Sequence, residues 1–409
     1  MAVDIRDFIT KPRWCILPWT HAFIDPLGKV KPCCRFRGRE VPGDCNLEEN
    51  SLDDLFSGPV FETLRQSMVV DDSPTGCQRC WEEESAGKGM SLRQNHNRRW
   101  DELVSADWVG RPEISFLEIG LSSLCNLKCR MCDSRYSSKW VSDEVKLLGE
   151  TINPNPPRKF SVSSVDGCLS RLRHIKFTGG EPLLIPEHQL ILEKIFEMER
   201  ASQVAINYST NVTTLPKQDL QSLWRNFSRV EVALSVDGIG EVNDYVRNPS
   251  KWEQVEAVAV GFFEIAENMP NLFLGLRPSV SVYNLLSQPD LLRWWLKLCD
   301  KYPRAGERAR KWVSLTHVTY PEQLSLQVLP QKTKERWTQM IDASLDGLPE
   351  KWSESCRSLC RYMLAHDRED LFSQLVSFTH DLDEIRQESV DTACPQLGAA
   401  IREWNGLGK

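Results

Sequence analysis

Three cysteines in the run Cys125-Asn126-Leu127-Lys128-Cys129-Arg130-Met131-Cys132 are spaced C-x3-C-x2-C. Three thiolates can ligate three irons of a four-iron cluster and leave the fourth open to a ligand, whereas a fourth cysteine would close the cluster and favour electron storage. A closed zinc knuckle needs four ligands, and no Cys or His follows Cys132 at a suitable spacing. Further along, the strand-like Ile175-Lys176-Phe177 leads into Thr178-Gly179-Gly180-Glu181-Pro182. Paired glycines let a backbone approach a ligand closely, and a carboxylate there suits an ammonium group. Tyr208-Ser209-Thr210-Asn211 and Ser235-Val236-Asp237-Gly238 each end an apolar run, and Arg247 follows shortly after.

Taken together, the cysteine spacing, the GGEP segment and the two polar strand ends resemble the radical S-adenosylmethionine (radical SAM) superfamily. The resemblance implies that SAM chelates the open iron of a [4Fe-4S] cluster on Cys125, Cys129 and Cys132. An electron from the cluster then cleaves the sulfonium reductively to a 5′-deoxyadenosyl radical, which abstracts a substrate hydrogen. It also implies SAM contacts from Gly179, Gly180, Glu181, Pro182, Ser209, Asn211, Ser235, Asp237 and Arg247. The position before the third cysteine, often aromatic in relatives, is Met131, whose polarizable thioether can pack on adenine instead.

A second set of cysteines precedes the first. Cys15-Ile16-Leu17-Pro18-Trp19 opens a C-x12-G-x4-C pattern that ends at Cys33, and Cys77-x2-Cys80 follows. A strand-turn-strand with Gly28 at the turn brings two thiols together, and the Cys77/Cys80 knuckle would close the site. The pattern is similar to the SPASM auxiliary-cluster module and its shorter twitch form, which usually follows the radical domain. Cys15, Cys33, Cys77 and Cys80 are accordingly expected to hold an auxiliary cluster, [4Fe-4S] by the resemblance. Cys34 is an alternative to Cys33, since adjacent cysteines in an extended segment face opposite ways; Cys45 is a further candidate, and structural zinc is the competing occupant.

The 409 residues are 41% hydrophobic and 26% charged, a soluble globular composition large enough for two domains. No apolar run approaches eighteen residues and the start lacks a signal-peptide pattern, so a cytoplasmic protein with no membrane partner is expected. In such a chain the fourteen cysteines read as metal ligands and buried thiols, not disulfides. Cys168, Cys299, Cys356, Cys360 and Cys394 fall in the buried class. A net charge of −7 argues against a nucleic-acid partner, with Arg35, Arg37, Arg39 and Arg93, Arg98, Arg99 as local basic exceptions.

The elements that must position these residues are strands at 114–121, 173–178, 203–209, 230–236, 273–282 and 312–320. They alternate with helices near 134–149, 187–201, 216–227, 251–268 and 287–301, as parallel βα units do. The fold expected is α/β: a partial (β/α)6 radical SAM barrel at 111–329, an N-terminal cysteine-rich twitch/SPASM-like module at 1–110 and a C-terminal helical extension at 330–409. The motifs fall after successive strands, where active sites of parallel α/β barrels lie.

Three functions fit. The first is a radical SAM oxidoreductase or maturase that modifies a peptide with help from the auxiliary cluster. The alternative is a radical SAM enzyme acting on a small metabolite such as an amino acid, sugar or nucleotide. Both imply an electron donor such as flavodoxin or ferredoxin. A non-enzymatic metal-stabilised binding protein would make the GGEP segment a coincidence.

Overall fold

The computed structural model describes residues 11–37, 45–47, 50–70, 72–85, 91–104, 110–153 and 155–407. Arg39 lies outside them. The chain forms two compact units. The first comprises Met1–Ser123, Pro157–Tyr208 and Lys217–Val230; the second comprises Leu124–Pro156, Ser209–Pro216 and Glu231–Lys409.

In the first unit the N-terminal module contributes a hairpin. Strand β1 (His21–Ile24) pairs antiparallel with β2 (Val30–Lys31) in the register Phe23↔Lys31 and Ile24↔Val30. The Asp25 carboxylate caps the turn by accepting from the backbone of Leu27 and Lys29 at 3.0 Å each, and Gly28 supplies φ +87°. β1 also pairs in parallel with β3 (Phe116–Gly120), His21 standing opposite Phe116. β3 pairs in parallel with β4 (His174–Thr178), and β4 with β5 (Ala205–Thr210). The cysteine-rich module therefore adds a strand to the sheet beside the first barrel strand, a role that the sequence reading did not assign to it.

Alternation explains the two faces. Ile175 and Phe177 of β4 and Ile206 and Tyr208 of β5 are buried, beneath helices Glu187–Glu197 and Gln218–Trp224. The Tyr208 and Trp224 rings lie 5.2 Å apart. Residues of the opposite period carry polarity: Glu118 on β3 and Lys176 on β4 form a 2.7 Å ion pair, with His21 at 3.7 Å. Burial alone would raise the Glu118 carboxyl, but Lys176 and His21 hold it well below the usual range. A second core, containing Trp14, Ile16, Leu17, Leu64 and Met68, underlies the cysteine module.

The second unit holds the cysteine loop, helix Val141–Leu148, the later part of β6 (Arg229–Leu234) and β7 (Leu272–Leu276). The run expected as one strand over 273–282 breaks after β7 at Arg277-Pro278, where proline has no N–H to donate, and resumes as β8 (Ser279–Val280). The strand expected over 312–320 is confined to β9 (Thr316–His317), parallel to β8. Helices Trp252–Glu267 and Gln288–Lys301 match their expected positions. Beyond 330 the chain is helical as expected: Gln331–Ala343, Glu350–Ala365, Phe372–Arg386 and Pro395–Leu407. Trp337 and Trp352 are core residues. Cys168, Cys299, Cys356, Cys360 and Cys394 are all buried, as small apolar side chains would be. Among the described residues no helix is long and apolar enough to cross a membrane.

Candidate functional site

Cys125, Cys129 and Cys132 are half-buried on an irregular loop whose backbone is tied down at several residues. Lys128 N donates to Asn248 O at 2.7 Å, Arg130 N to Val246 O at 2.8 Å and Cys132 N to Cys129 O at 2.9 Å. The Trp140 indole donates to Cys129 O at 2.8 Å. Asn211, at the end of β5, donates to Cys125 Sγ at 3.7 Å and to Asn126 Oδ1 at 2.8 Å. Burial pushes the Cys129 thiol up to about 11 and, with Cys129 and Asp133 adding their charge, holds Cys132 well above its ordinary value. Crowded thiols of this kind are deprotonated when they ligate a metal, whose positive charge reverses the penalty. The donor chemistry fits a cluster, and Arg247 and Arg386 stand near enough to Cys129 to favour its thiolate.

The expected SAM-contacting residues are distributed over both units. In the second, Asp237 is fully buried; its Oδ2 accepts from Arg247 Nε at 2.7 Å and its Oδ1 from Ser279 N at 2.7 Å. Its backbone carbonyl accepts from Asn284 and Gln288 side chains at 2.8 and 3.0 Å. Two residues expected to contact SAM thus bind each other, with Arg247 beside Cys129 and Cys125 as well. Ser209, Ser235 and Met131 are half-buried.

In the first unit Gly179 has φ +107°, and a Cβ there would lie 2.8 Å from Ser122 O and 3.1 Å from Leu121 N. Gly180 N donates to Ser122 O at 2.8 Å. The bare Cα of Gly179 therefore serves a close backbone approach between the ends of β3 and β4, in addition to any ligand role. Glu181 is fully buried and its Oε1 accepts from Leu183 N at 3.1 Å, which caps the short turn Pro182–Leu184.

Cys15, Cys33, Cys77 and Cys80 line one pocket in the first unit. Cys34 is exposed in the turn that Cys33 opens, where Phe36 N donates to Cys33 O at 3.2 Å, so the pair is not in the extended segment expected; Cys45 is half-buried. Cys77 ends a one-turn helix, Thr75–Cys77, that continues into helix Gln78–Ser85 carrying Cys80. Burial and the charge of Cys80 push Cys77 up to about 12, and burial raises Cys15 and Cys33 well above the ordinary thiol value. Cations form part of the wall: Arg35 and Arg93 from the two basic clusters, and Arg79. Arg35 and Arg79 share Glu83, while Arg93 bonds Glu84 at 3.1 and 2.6 Å, reaches Trp14 O at 2.8 Å and lies 4.9 Å from the Trp81 ring centre. Four thiols ringed by guanidinium groups are a donor set suited to an anionic thiolate cluster. The sulfurs surround the pocket without meeting at a point: among the described residues no three His, Cys, Asp or Glu side chains are placed to hold a single metal ion.

Two regions of this chain match known protein families. Residues 119–260 match the radical SAM superfamily, and residues 15–81 match the SPASM iron-sulfur cluster-binding domain. The chain carries a radical SAM domain with a SPASM-type module on its N-terminal side, and these two domains imply SAM, a SAM-binding [4Fe-4S] cluster and an auxiliary iron-sulfur cluster. Among curated proteins it is 27% identical over 128 residues to the GTP 3′,8-cyclase of Aliarcobacter butzleri (strain RM4018), covering 31% of this chain and 36% of that protein. It is 25% identical over 145 residues to the putative protein YfkA of Bacillus subtilis (strain 168), covering 32% and 35%. The chain thus spans about a third of the length of these relatives. Among solved structures, anSMEcpe with bound AdoMet is 19% identical over 57% of this chain and 58% of its own, with a TM-score of 0.36. Streptococcus suis SuiB bound to precursor peptide SuiA is 13% identical over 65% and 58%, with a TM-score of 0.36.

Proposed function

We propose that this radical SAM enzyme modifies a peptide, acting as a maturase or oxidoreductase whose auxiliary cluster accepts or relays an electron. The observation that carries the reading is the presence of two thiol sets in different surroundings, three on a tied-down loop and four in a cation-walled pocket. A three-thiol set leaves one iron open, and a four-thiol set suits electron transfer.

In this reading Cys125, Cys129 and Cys132 hold the SAM cluster, and Cys15, Cys33, Cys77 and Cys80 hold the auxiliary one. When bound, the cluster would supply the electron for reductive cleavage of SAM, the chemistry needed for hydrogen abstraction from the substrate. The chain's own residues do the rest. Trp140 and the carbonyls of Val246 and Asn248 hold the thiol loop, Arg247 supplies a cation beside Cys129, and Arg93 supplies one beside Cys15 and Cys77. Gly179, Gly180, Glu181, Pro182, Ser209, Asn211, Ser235, Asp237, Arg247 and Met131 are proposed to line the SAM site. The domains are proposed as 1–110, 111–329 and 330–409, with a flavodoxin or ferredoxin as electron donor.

A second reading, a small-metabolite substrate such as a nucleotide, is favoured by the likeness to proteins named GTP 3′,8-cyclase. The test is anaerobic incubation of reconstituted enzyme, SAM and reductant with separated peptide and small-metabolite fractions of a cell extract. Mass changes that track 5′-deoxyadenosine are expected in the peptide fraction. Changes confined to the metabolite fraction would move the assignment to the second reading. In the Cys125→Ala, Cys129→Ala, Cys132→Ala variant 5′-deoxyadenosine should disappear while a second iron pool stays bound. Intact cleavage with unchanged iron would overturn both readings.

A further inference from the structure

The cysteine loop is gripped on one side by Val246 to Asn248 and on the other by the end of helix Phe372–Arg386, some 250 residues further along the chain. Arg130, the residue after Cys129, is completely buried. Its Nε donates to Tyr245 O at 3.0 Å, and its guanidinium carbon lies 3.4 Å from the centre of the Tyr245 ring. Its Nη2 donates to both Asp383 and Glu388, the latter at 2.7 Å. Both carboxylates are themselves fixed. Asp383 accepts from Tyr245 OH and from Val390 N at 2.8 Å each, and Glu388 accepts from Asn248 Nδ2 at 2.6 Å.

The residue before Cys129 is tied to the same segment. Lys128 Nζ donates to Asp143 Oδ1 at 2.9 Å, and Asp143 Oδ2 accepts from Arg386 Nε at 2.8 Å. The Arg386 guanidinium lies 4.7 Å from the centre of the Trp140 ring, and the Trp140 indole donates to Cys129 O. Three routes from residues 383–388 therefore converge on Cys129: through Arg130, through Lys128 and through Trp140.

We propose that the segment Asp383 to Glu388 is a clamp that sets the conformation of the cysteine loop, with Asp383, Arg386 and Glu388 as positioning residues for the cluster and its SAM site. Arg130 explains why two carboxylates are needed. A fully buried guanidinium cannot shed its proton, so without its partners the loop must open to hydrate it. Opening there moves the Cys129 thiol, the middle ligand of the three. The C-terminal extension thereby contributes to cluster geometry although it brings no ligand of its own.

The inference rests on the proposed cluster site, and its test separates the two. Lys128 and Arg130 are themselves trypsin sites, so loop opening is read as cleavage after them in the metal-free protein. The variant is Asp383→Asn, Glu388→Gln, compared with Asp381→Asn, an exposed neighbour on the same helix. Cleavage after Lys128 or Arg130 should accelerate about tenfold or more in the double variant, the factor expected for one lost charge-assisted bond, and stay at the wild-type rate in Asp381→Asn. In the reconstituted protein the electron paramagnetic resonance signal of the reduced cluster with SAM should broaden or shift, while the auxiliary iron pool is retained. Arg386→Lys, which keeps the charge and loses the planar contact with Trp140, should fall between. If the double variant does not fold, Glu388→Gln alone is read in the same assays. Wild-type cleavage rates with an unchanged spectrum would overturn the clamp. Clamped loop behaviour in a wild-type protein that cleaves no SAM would overturn the functional reading and leave the clamp standing.

Discussion

Arg247 and Asp237 distinguish a pure ligand contact from a structural one, because the two side chains bond each other while Arg247 also faces the cluster thiols. Replacing Arg247 by Met preserves length and removes charge. It leaves the Asp237 carboxylate, which is fully buried, with Ser279 N as its one remaining partner among the bonds to its oxygens described above. Removing one partner of a buried, hydrogen-bonded pair costs about 3–5 kcal/mol, two to four orders of magnitude in the folding equilibrium. The reverse change, Asp237→Asn, leaves the cation, and the thiolates of Cys129 and Cys125 can serve as its counter-charge once a cluster is bound. Its cost should therefore be smaller in the reconstituted protein than in the metal-free one, by roughly the 1.5–3 kcal/mol of one charge-assisted bond. Anaerobic urea unfolding of both forms, followed by tryptophan fluorescence, measures all four values. If Arg247→Met cost less than about 1 kcal/mol, far below a broken buried pair, the pairing argument would be wrong and the residue would be a ligand contact only. Equal costs for Asp237→Asn with and without cluster would show that Arg247 does not sense the thiols.

Three further outcomes are expected. Cys77→Ala, Cys80→Ala should abolish turnover of the true substrate and spare part of the uncoupled SAM cleavage, since its thiols lie in the first unit and the SAM-cluster loop in the second; full substrate turnover, or zinc found in the wild-type pocket, would remove the auxiliary redox role. Gly179→Ala should destabilise by about 2–5 kcal/mol in urea unfolding, because its Cβ would strain a positive φ and meet backbone atoms that cannot rotate away, and a cost within experimental error would refute that. His188, hydrogen-bonded to Tyr208 OH at 2.6 Å, is pushed by burial from 6.5 down to about 4. The unfolded chain therefore takes up this proton first, so stability present above about pH 6.5 is lost as pH falls towards 4, by about 2 kcal/mol at pH 5. The fall in urea midpoint between about pH 7.5 and pH 5 should shrink in His188→Gln, and an equal fall would exclude His188 as the cause.

What was legible in the sequence is what depends on short-range spacing. Cysteine intervals, the glycine pair of the GGEP segment and alternating apolar residues are local patterns, and they located the thiol sets, the turn at Gly28 and most strands and helices. What escaped is what depends on pairing across the chain. β1 is four residues long and buried throughout, so it carries no alternation to show that it lies beside β3. Arg35 and Arg93 look like members of surface charge runs until the fold turns them towards the thiol pocket. Asp237 and Arg247 sit ten positions apart at a strand end and beyond the following helix, a spacing for which no periodicity predicts contact. The C-terminal segment is the strongest case. Asp383, Arg386 and Glu388 have the composition of a solvated helix end, and their meaning comes from the buried cation after Cys129. A loop that must keep three thiolates in register cannot hold itself, because irregular backbone supplies few of its own hydrogen bonds and its anionic ligands repel one another. Its support therefore has to come from other elements, and distant residues can supply it without leaving any mark in the motif itself.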